Sequence, residues 1–144
     1  MRICFDLDGT LNRFYDVDGW LEDLIAQNPR PYEVAEVAMN MSALARVLNR
    51  LQRQGHELVI VSWLSKRECA EFDKIVTDAK IKWLTKHLPS VHFDEINIVR
   101  YGVSKDTFCQ STEDILFDDE EQNRNAWTGR AFDVDNIIGI LKNI

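Results

Sequence analysis

Short apolar runs alternate along this chain with stretches of helical spacing. Met1 to Asp6 predicts a short buried strand, broken by Gly9. Trp20 to Gln27 predicts a short helix closed by the Asn-Pro-Arg-Pro turn, and Pro31 suits the first turn of the next one. From Tyr32 to Gln54 apolar residues recur at helical spacing: Val34, Val37, Met41, Leu44, Val47, Leu48, Leu51. Asn40-Met41-Ser42 is a point of interruption, with Ser42 the cap of the second half, and Gly55 ends the helix. Leu58 to Val61 is continuously apolar, which suits a central parallel strand covered on both faces.

Ser65 to His87 then predicts a long helix stopped by Pro89, with Ala70, Ile75, Ala79, Trp83 and Leu84 as its buried side. Ile96–Val99 and Asp114–Asp119 predict strands, with a short helix at Ser104–Phe108 between them. Glu120–Thr128 predicts a helix, the Arg-Ala-Phe-Asp-Val run a last strand, and Asn136–Lys142 a closing helix. Five strands alternating with helices predict an α/β fold. The expected form is a Rossmann-like three-layer sandwich: a mainly parallel five-stranded sheet with helices on both faces. The whole chain, 1–144, reads as one domain, with 12–40 a small cap- or flap-like insertion and lead-in helix.

Ligands of such sheets sit beyond the carboxyl ends of the strands. There the sequence places Asp6 and Asp8, then Ser62 and Trp63, then Lys105 across a short loop, then Asp118 and Asp119. Four carboxylates crowd one edge and repel one another, and a divalent cation resolves the conflict. Mg²⁺ takes oxygen ligands, commonly one or two carboxylates plus waters and a substrate phosphate. Ser62 and Lys105 then suit the remaining phosphate oxygens, with Arg100 the rival cation. The matching chemistry is phosphoryl transfer to an aspartate, with a second carboxyl as general acid and base. Residues two apart on extended backbone share a face, so Asp6 and Asp8 can meet one substrate while Leu7 points to the core. Gly9 allows the sharp turn, and Thr10 can hydrogen-bond it or the phosphate.

Composition narrows this only slightly. The 45% apolar and 28% charged content is ordinary for a globular protein. A net charge of −7 argues against a broad electrostatic grip on nucleic acid. Three cysteines (Cys4, Cys69 and Cys109) without metal-ligand spacing point to reduced thiols and a cytoplasmic location. The first apolar run is cut at once by Asp6, which does not fit a signal peptide. No stretch approaches the ~18 apolar residues of a membrane span.

The octet Phe5–Asn12, FDLDGTLN, resembles the DxDGT signature of the haloacid dehalogenase superfamily of phosphohydrolases. The other motifs follow in the family's order: Ser62, Lys105, then Asp118-Asp119, so the resemblance runs from Ile3 to about Trp127. It implies Asp6 as nucleophile, Asp8 as general acid/base, and Ser62 and Lys105 on the phosphoryl group. It implies Mg²⁺ on Asp6, the Asp8 backbone carbonyl and a motif-four aspartate, with Asp119 favoured and Asp118 in support. Aspartate at position 8 resembles the phosphatase branch rather than the dehalogenases. Asn123 matches a place where relatives carry a second acid and would support the metal through water.

Bland readings stand beside these. Glu120 and Glu121 suit a helix start, and Lys66, Lys74, Lys80, Lys82 and Lys86 read as solvated helix faces. Trp63 is either core or a stacking platform for a nucleobase, and Trp20, Trp83 and Trp127 read as packing. His56, His87 and His92 fit no pattern. Asn12–Arg30 is too short for a full cap domain, leaving an open site where Tyr15, Asp16, Asp18 and Trp20 would form a flap, or which a second copy of the chain would cover. An open site admits a nucleotide or a nucleic-acid terminal phosphate, the leading expectation. Small phosphorylated metabolites and phosphoproteins are the alternatives. A reading of another class is a binding or regulatory module that has kept only the fold.

Overall fold

The computed structural model describes residues Met1–Ile144. Five strands, β1 (Arg2–Phe5), β2 (Glu57–Trp63), β3 (Glu95–Val99), β4 (Ile115–Phe117) and β5 (Arg130–Phe132), form one sheet in the order β3-β2-β1-β4-β5. Every pairing is parallel, in register Ile3 with Leu58 and Ile3 with Ile115. The chain builds outward from β1 to β3, then returns to place β4 on the other side of β1. That reversal makes the β1/β4 junction the switch point, where the carboxyl ends of neighbouring strands diverge and leave a crevice.

Side chains alternate across the sheet. Ile3, Phe5, Leu58, Ile60, Ile115 and Phe117 face one cluster, covered by α3 (Met41–Arg53), α4 (Ala70–His87) and α6 (Ile137–Lys142). Cys4, Val59, Val61 and Leu116 face the other way. Their cover is thinner: Phe108 and Cys109 at a 3-10 turn (Lys105–Phe108), and Trp127 beyond α5 (Glu121–Ala126). Strands buried on both sides explain why β2 reads as an unbroken apolar run.

The helix expected over Tyr32–Gln54 is two elements. α1 (Trp20–Ile25) and α2 (Arg30–Val34) precede a break, and α3 begins only at Met41. The cause is pairing of the intervening chain with the turn after β1. Ala38 N–H donates to the Leu11 carbonyl at 3.0 Å, Arg13 N–H to the Glu36 carbonyl at 2.8 Å, and Asn12 bridges Val37. Backbone held in a ladder cannot also be helix. Asn40, rather than Ser42, caps α3, its Oδ1 accepting from Ala43 N–H at 3.0 Å. The pairings above form a closed stem, from which residues 14–35 project.

α4 also starts later than expected, at Ala70, and Ser65–Cys69 is irregular chain. Ala70 and Ile75 are exposed, not buried. The helix instead buries Phe72, Val76, Ala79, Lys80, Trp83 and Leu84. Phe72, Val76 and Ala79 form a second cluster with Phe14, Tyr32 and Leu64, which fixes the projecting segment to α4. The segment expected as a helix at Ser104–Phe108 is the 3-10 turn, and none of the three cysteines is bridged. No helix is long and apolar enough to cross a membrane.

Candidate functional site

At the β1/β4 switch point the backbone is tied first: Asp6 N–H donates to the Phe117 carbonyl at 2.9 Å. This sets Asp6, the residue after β1, beside Asp118 and Asp119, the residues after β4. Carboxylate oxygens of the three lie within 4.8 Å of one another. Lys105, only 3% exposed, sits between two of them, its Nζ 2.8 Å from both Asp6 Oδ1 and Asp118 Oδ2. Burial alone would lower the lysine pKa, but Asp6 and Asp118 outweigh it and hold the ammonium above the usual lysine range. Thr10, fully buried, turns its hydroxyl to Asp6 Oδ2 at 2.9 Å, with Asp119 Oδ1 at 3.5 Å. The Thr10 backbone N–H, rather than its hydroxyl, closes the turn, onto Leu7.

Asp118 and Asp119 differ in what already holds them. Asp118 Oδ1 accepts from Glu120 N–H at 2.9 Å, and Oδ2 accepts from Lys105 and from Asn123 Nδ2 at 3.1 Å. Asp119 has only the long Thr10 contact. Burial, reinforced by Asp6, pushes the Asp119 carboxyl up to about 8, and the Asp118 carboxyl to about 6. These groups carry too much negative charge for their space. Their donors are oxygen only, the set a hard divalent cation takes, so the residues present fit Mg²⁺. Gly9 makes this approach possible. Its φ is +84°, and a Cβ there would stand 2.5 Å from Asp119 Oδ2.

Asp8, two residues beyond Asp6, lies on the α4 side. Its Oδ1 accepts from Asn12 Nδ2 at 3.1 Å, and its Oδ2 lies 2.9 Å from Lys80 Nζ. Lys80 is therefore no solvated lysine; it is 1% exposed. It also donates to Ser62 Oγ at 2.7 Å and to the Trp63 carbonyl at 2.6 Å. The signal for it was present in the sequence: Lys80 lies in phase with Val76, Ala79, Trp83 and Leu84, inside the buried stripe of α4. Arg100, the rival of Lys105, turns away to pair with Asp73.

These groups form the floor of a cleft of about 470 Å³. Trp63 and Tyr101 flank it, with ring centroids 4.8 Å apart. The indole N–H is committed to the Val103 carbonyl at 2.8 Å, so the Trp63 side chain offers a ring, which lies 5.3 Å from Lys105 Nζ. Tyr15, Trp20 and Tyr32 of the projecting segment also line the cleft. Trp20, expected as packing, does pack against Phe14 and Tyr15 and also lines the cleft, and Trp83 and Trp127 are buried. Asp16, Asp18 and the three histidines are not part of the cleft.

The model of the family described as 5' nucleotidase, deoxy (pyrimidine), cytosolic type C protein (NT5C) matches residues 34–141. The chain belongs to this family. That family is one of phosphoric monoester hydrolases of the haloacid dehalogenase type. The NT5C match takes in Ser62, Lys105, Asp118 and Asp119, while Asp6 and Asp8 lie ahead of it. Solved structures share the fold. A chain of the Pnkp1/Rnl/Hen1 complex aligns over 92% of this chain at 18% identity and TM-score 0.56. This chain spans only 44% of that one. D,D-heptose 1,7-bisphosphate phosphatase from Burkholderia thailandensis aligns over 87% of this chain and 70% of its own, at 17% identity and TM-score 0.53. The B. bronchiseptica enzyme of the same name, complexed with magnesium and phosphate, aligns over 90% and 77%, at 16% identity and TM-score 0.51. No curated protein matches the sequence.

Proposed function

We propose that this chain is a Mg²⁺-dependent phosphatase of nucleoside 5'-monophosphates that works through an aspartyl-phosphate on Asp6. One observation carries the reading: a single cleft joins the carboxylate cluster to an aromatic shelf, Trp63 and Tyr101, beside Lys105. A phosphate placed on the floor leaves its nucleoside against that shelf, and stacking on a base is worth ~1–3 kcal/mol. The family's description as a nucleotidase agrees with it.

In this reading an Asp6 oxygen attacks phosphorus and the ester P–O bond breaks. Asp8 gives its proton to the departing oxygen. Asp8 then takes a proton from water, whose oxygen attacks phosphorus and releases phosphate from Asp6. Lys105 spends two N–H groups on Asp6 and Asp118 and keeps a third for a phosphate oxygen. Ser62 supplies a neutral donor. Asp6, Asp119 and the Asp8 backbone carbonyl, with Asp118 in support, would hold Mg²⁺, which would supply the positive charge that lets carboxylates and phosphate share the floor. Residues 12–40 act as a small cap on a 1–144 domain, and the place of work is the cytoplasm.

A second reading, a nucleic-acid terminal phosphate, draws on Lys66 and Arg67 at the cleft mouth, two exposed cations placed for a longer polyanion. The deciding experiment is turnover of nucleoside 5'-monophosphates, 5'- and 3'-phosphorylated oligonucleotides, sugar phosphates and phosphopeptides, with and without Mg²⁺. Mononucleotides should be preferred, and Asp6→Asn should abolish turnover of all of them. A clear preference for sugar phosphates or phosphopeptides would overturn the nucleotide reading.

A further inference from the structure

A lysine inside a helix's buried stripe is costly unless its charge is paired and every N–H finds an acceptor. Lys80 has such surroundings: its Nζ donates to Ser62 Oγ and to the Trp63 carbonyl and is ion-paired with Asp8 Oδ2 at 2.9 Å. The Tyr32 ring lies 5.3 Å from Nζ. Lys80 does not line the cleft, so it differs in kind from Lys105, which does.

We propose that Lys80 is a positioning residue, which locks the Asp8 carboxyl and the Ser62 hydroxyl into one frame facing the bound ester. The inference rests on the phosphatase reading above and adds to it a residue that touches neither substrate nor metal. Two consequences of these contacts carry it. Ser62 Oγ accepts from Lys80, so its own O–H is left to donate into the cleft, toward a phosphoryl oxygen. Asp8 is held at both oxygens, Oδ2 by Lys80 and Oδ1 by Asn12, so its side chain is not free to rotate. A general acid works only within hydrogen-bond reach of the oxygen it serves. Lys80 thus brings α4 into a site otherwise built from strand ends.

The test compares kcat/KM on a nucleoside 5'-monophosphate, whose alkoxide leaving group needs a proton, with that on p-nitrophenyl phosphate, whose leaving group does not. Wild type, Lys80→Met, Asp8→Asn and the double variant are measured with Mg²⁺. Lys80→Met should lose on the order of 100-fold on the nucleotide but less than about 10-fold on p-nitrophenyl phosphate. Added to Asp8→Asn, it should cost little more on the nucleotide, because the residue it positions is already gone. Lys80→Arg keeps the buried charge but moves the donors, and should show the same unequal loss if Lys80→Met does not fold. Equal losses on the two substrates, or full additivity with Asp8→Asn, overturn the positioning role. Wild-type turnover abolished by Asp6→Asn upholds the phosphatase reading independently of that result, whereas an inactive wild type overturns both.

Discussion

Gly9 and Asp119 occupy space that admits no methyl group: a Cβ on Gly9 would lie 2.5 Å from Asp119 Oδ2 and 2.9 Å from its Cγ. The two residues are far apart in sequence, yet the turn after β1 and the end of β4 meet at this one point. Gly9→Ala should therefore do two things. Its positive φ costs about 1–3 kcal/mol in a residue with a Cβ, and the methyl displaces the Asp119 carboxylate. We expect a modest fall in Tm, and a loss of Mg²⁺-dependent turnover larger than that fall explains. A variant of lower Tm with unchanged Mg²⁺ dependence would show that Asp119 does not hold the ion.

The raised carboxyls give a pH dependence with a definite sign. Asp118 and Asp119 lie at about 6 and about 8 when folded, against an ordinary 3.8. Folding the metal-free chain therefore takes up protons. Their contribution is most favourable below pH ~4 and is lost as pH rises through 6 and then 8. Mg²⁺ binds the ionised groups and offsets that loss. The Tm increase produced by Mg²⁺ should grow from pH 5.5 to pH 8.5, and Asp119→Asn should flatten the trend. Calorimetric scans across this range would count against carboxylate ligation if the Mg²⁺ increment were constant.

Lys105→Met removes the only cation lying between Asp6 and Asp118. Leaving buried charges without their partner costs about 3–5 kcal/mol. We expect a loss of that order in urea unfolding without metal, partly restored by saturating Mg²⁺. The same loss with and without Mg²⁺ would mean that ion and ammonium do not act on the same carboxylates.

Trp63→Ala tests the aromatic shelf. Loss of one base-stacking contact, ~1–3 kcal/mol, corresponds to a fall in kcat/KM on the order of 10–100-fold on nucleoside monophosphates. Turnover of p-nitrophenyl phosphate should stay close to the wild-type value. A parallel fall on both substrates would assign Trp63 to holding the 100–105 loop through its bond to Val103.

Asp6, Asp8, Ser62, Lys105, Asp118 and Asp119 were legible in the sequence because a parallel sheet brings the carboxyl ends of its strands, and the loops that leave them, to one edge. The apolar runs mark those strands. Lys80 was not legible in the same way, since helix lysines ordinarily keep their heads in water. Its phase with Val76 and Trp83 was visible, but the two acceptors and the counter-charge that make its burial tolerable come from Ser62, Trp63 and Asp8, remote in sequence. The interruption of the helix expected over Tyr32–Gln54 was legible at Asn40–Ser42, but the extended chain just before it was hidden for a related reason. The apolar spacing continues through Val34 and Val37, and only the pairing of Val37 with Asn12 shows that the chain is extended there. Local pattern gives the period of a segment, and partners elsewhere in the chain decide whether the period is used.

The stem that closes residues 14–35 bears on how such a protein can change. Leu11, Asn12 and Arg13 are paired with Glu36, Val37 and Ala38 whatever lies between. The ends of the insertion are already held together, so each doubling of its length adds only ~0.6 kcal/mol of closure entropy. The stem is a socket: segments of different size can be exchanged there, altering which molecules are admitted, while the reacting groups stay in register. Replacing 14–35 with a longer foreign insert and recovering p-nitrophenyl phosphate hydrolysis would demonstrate it, and loss of that hydrolysis in a folded chimera would refute it. Selection for new substrates can then proceed in one stretch of chain without re-solving the chemistry in another.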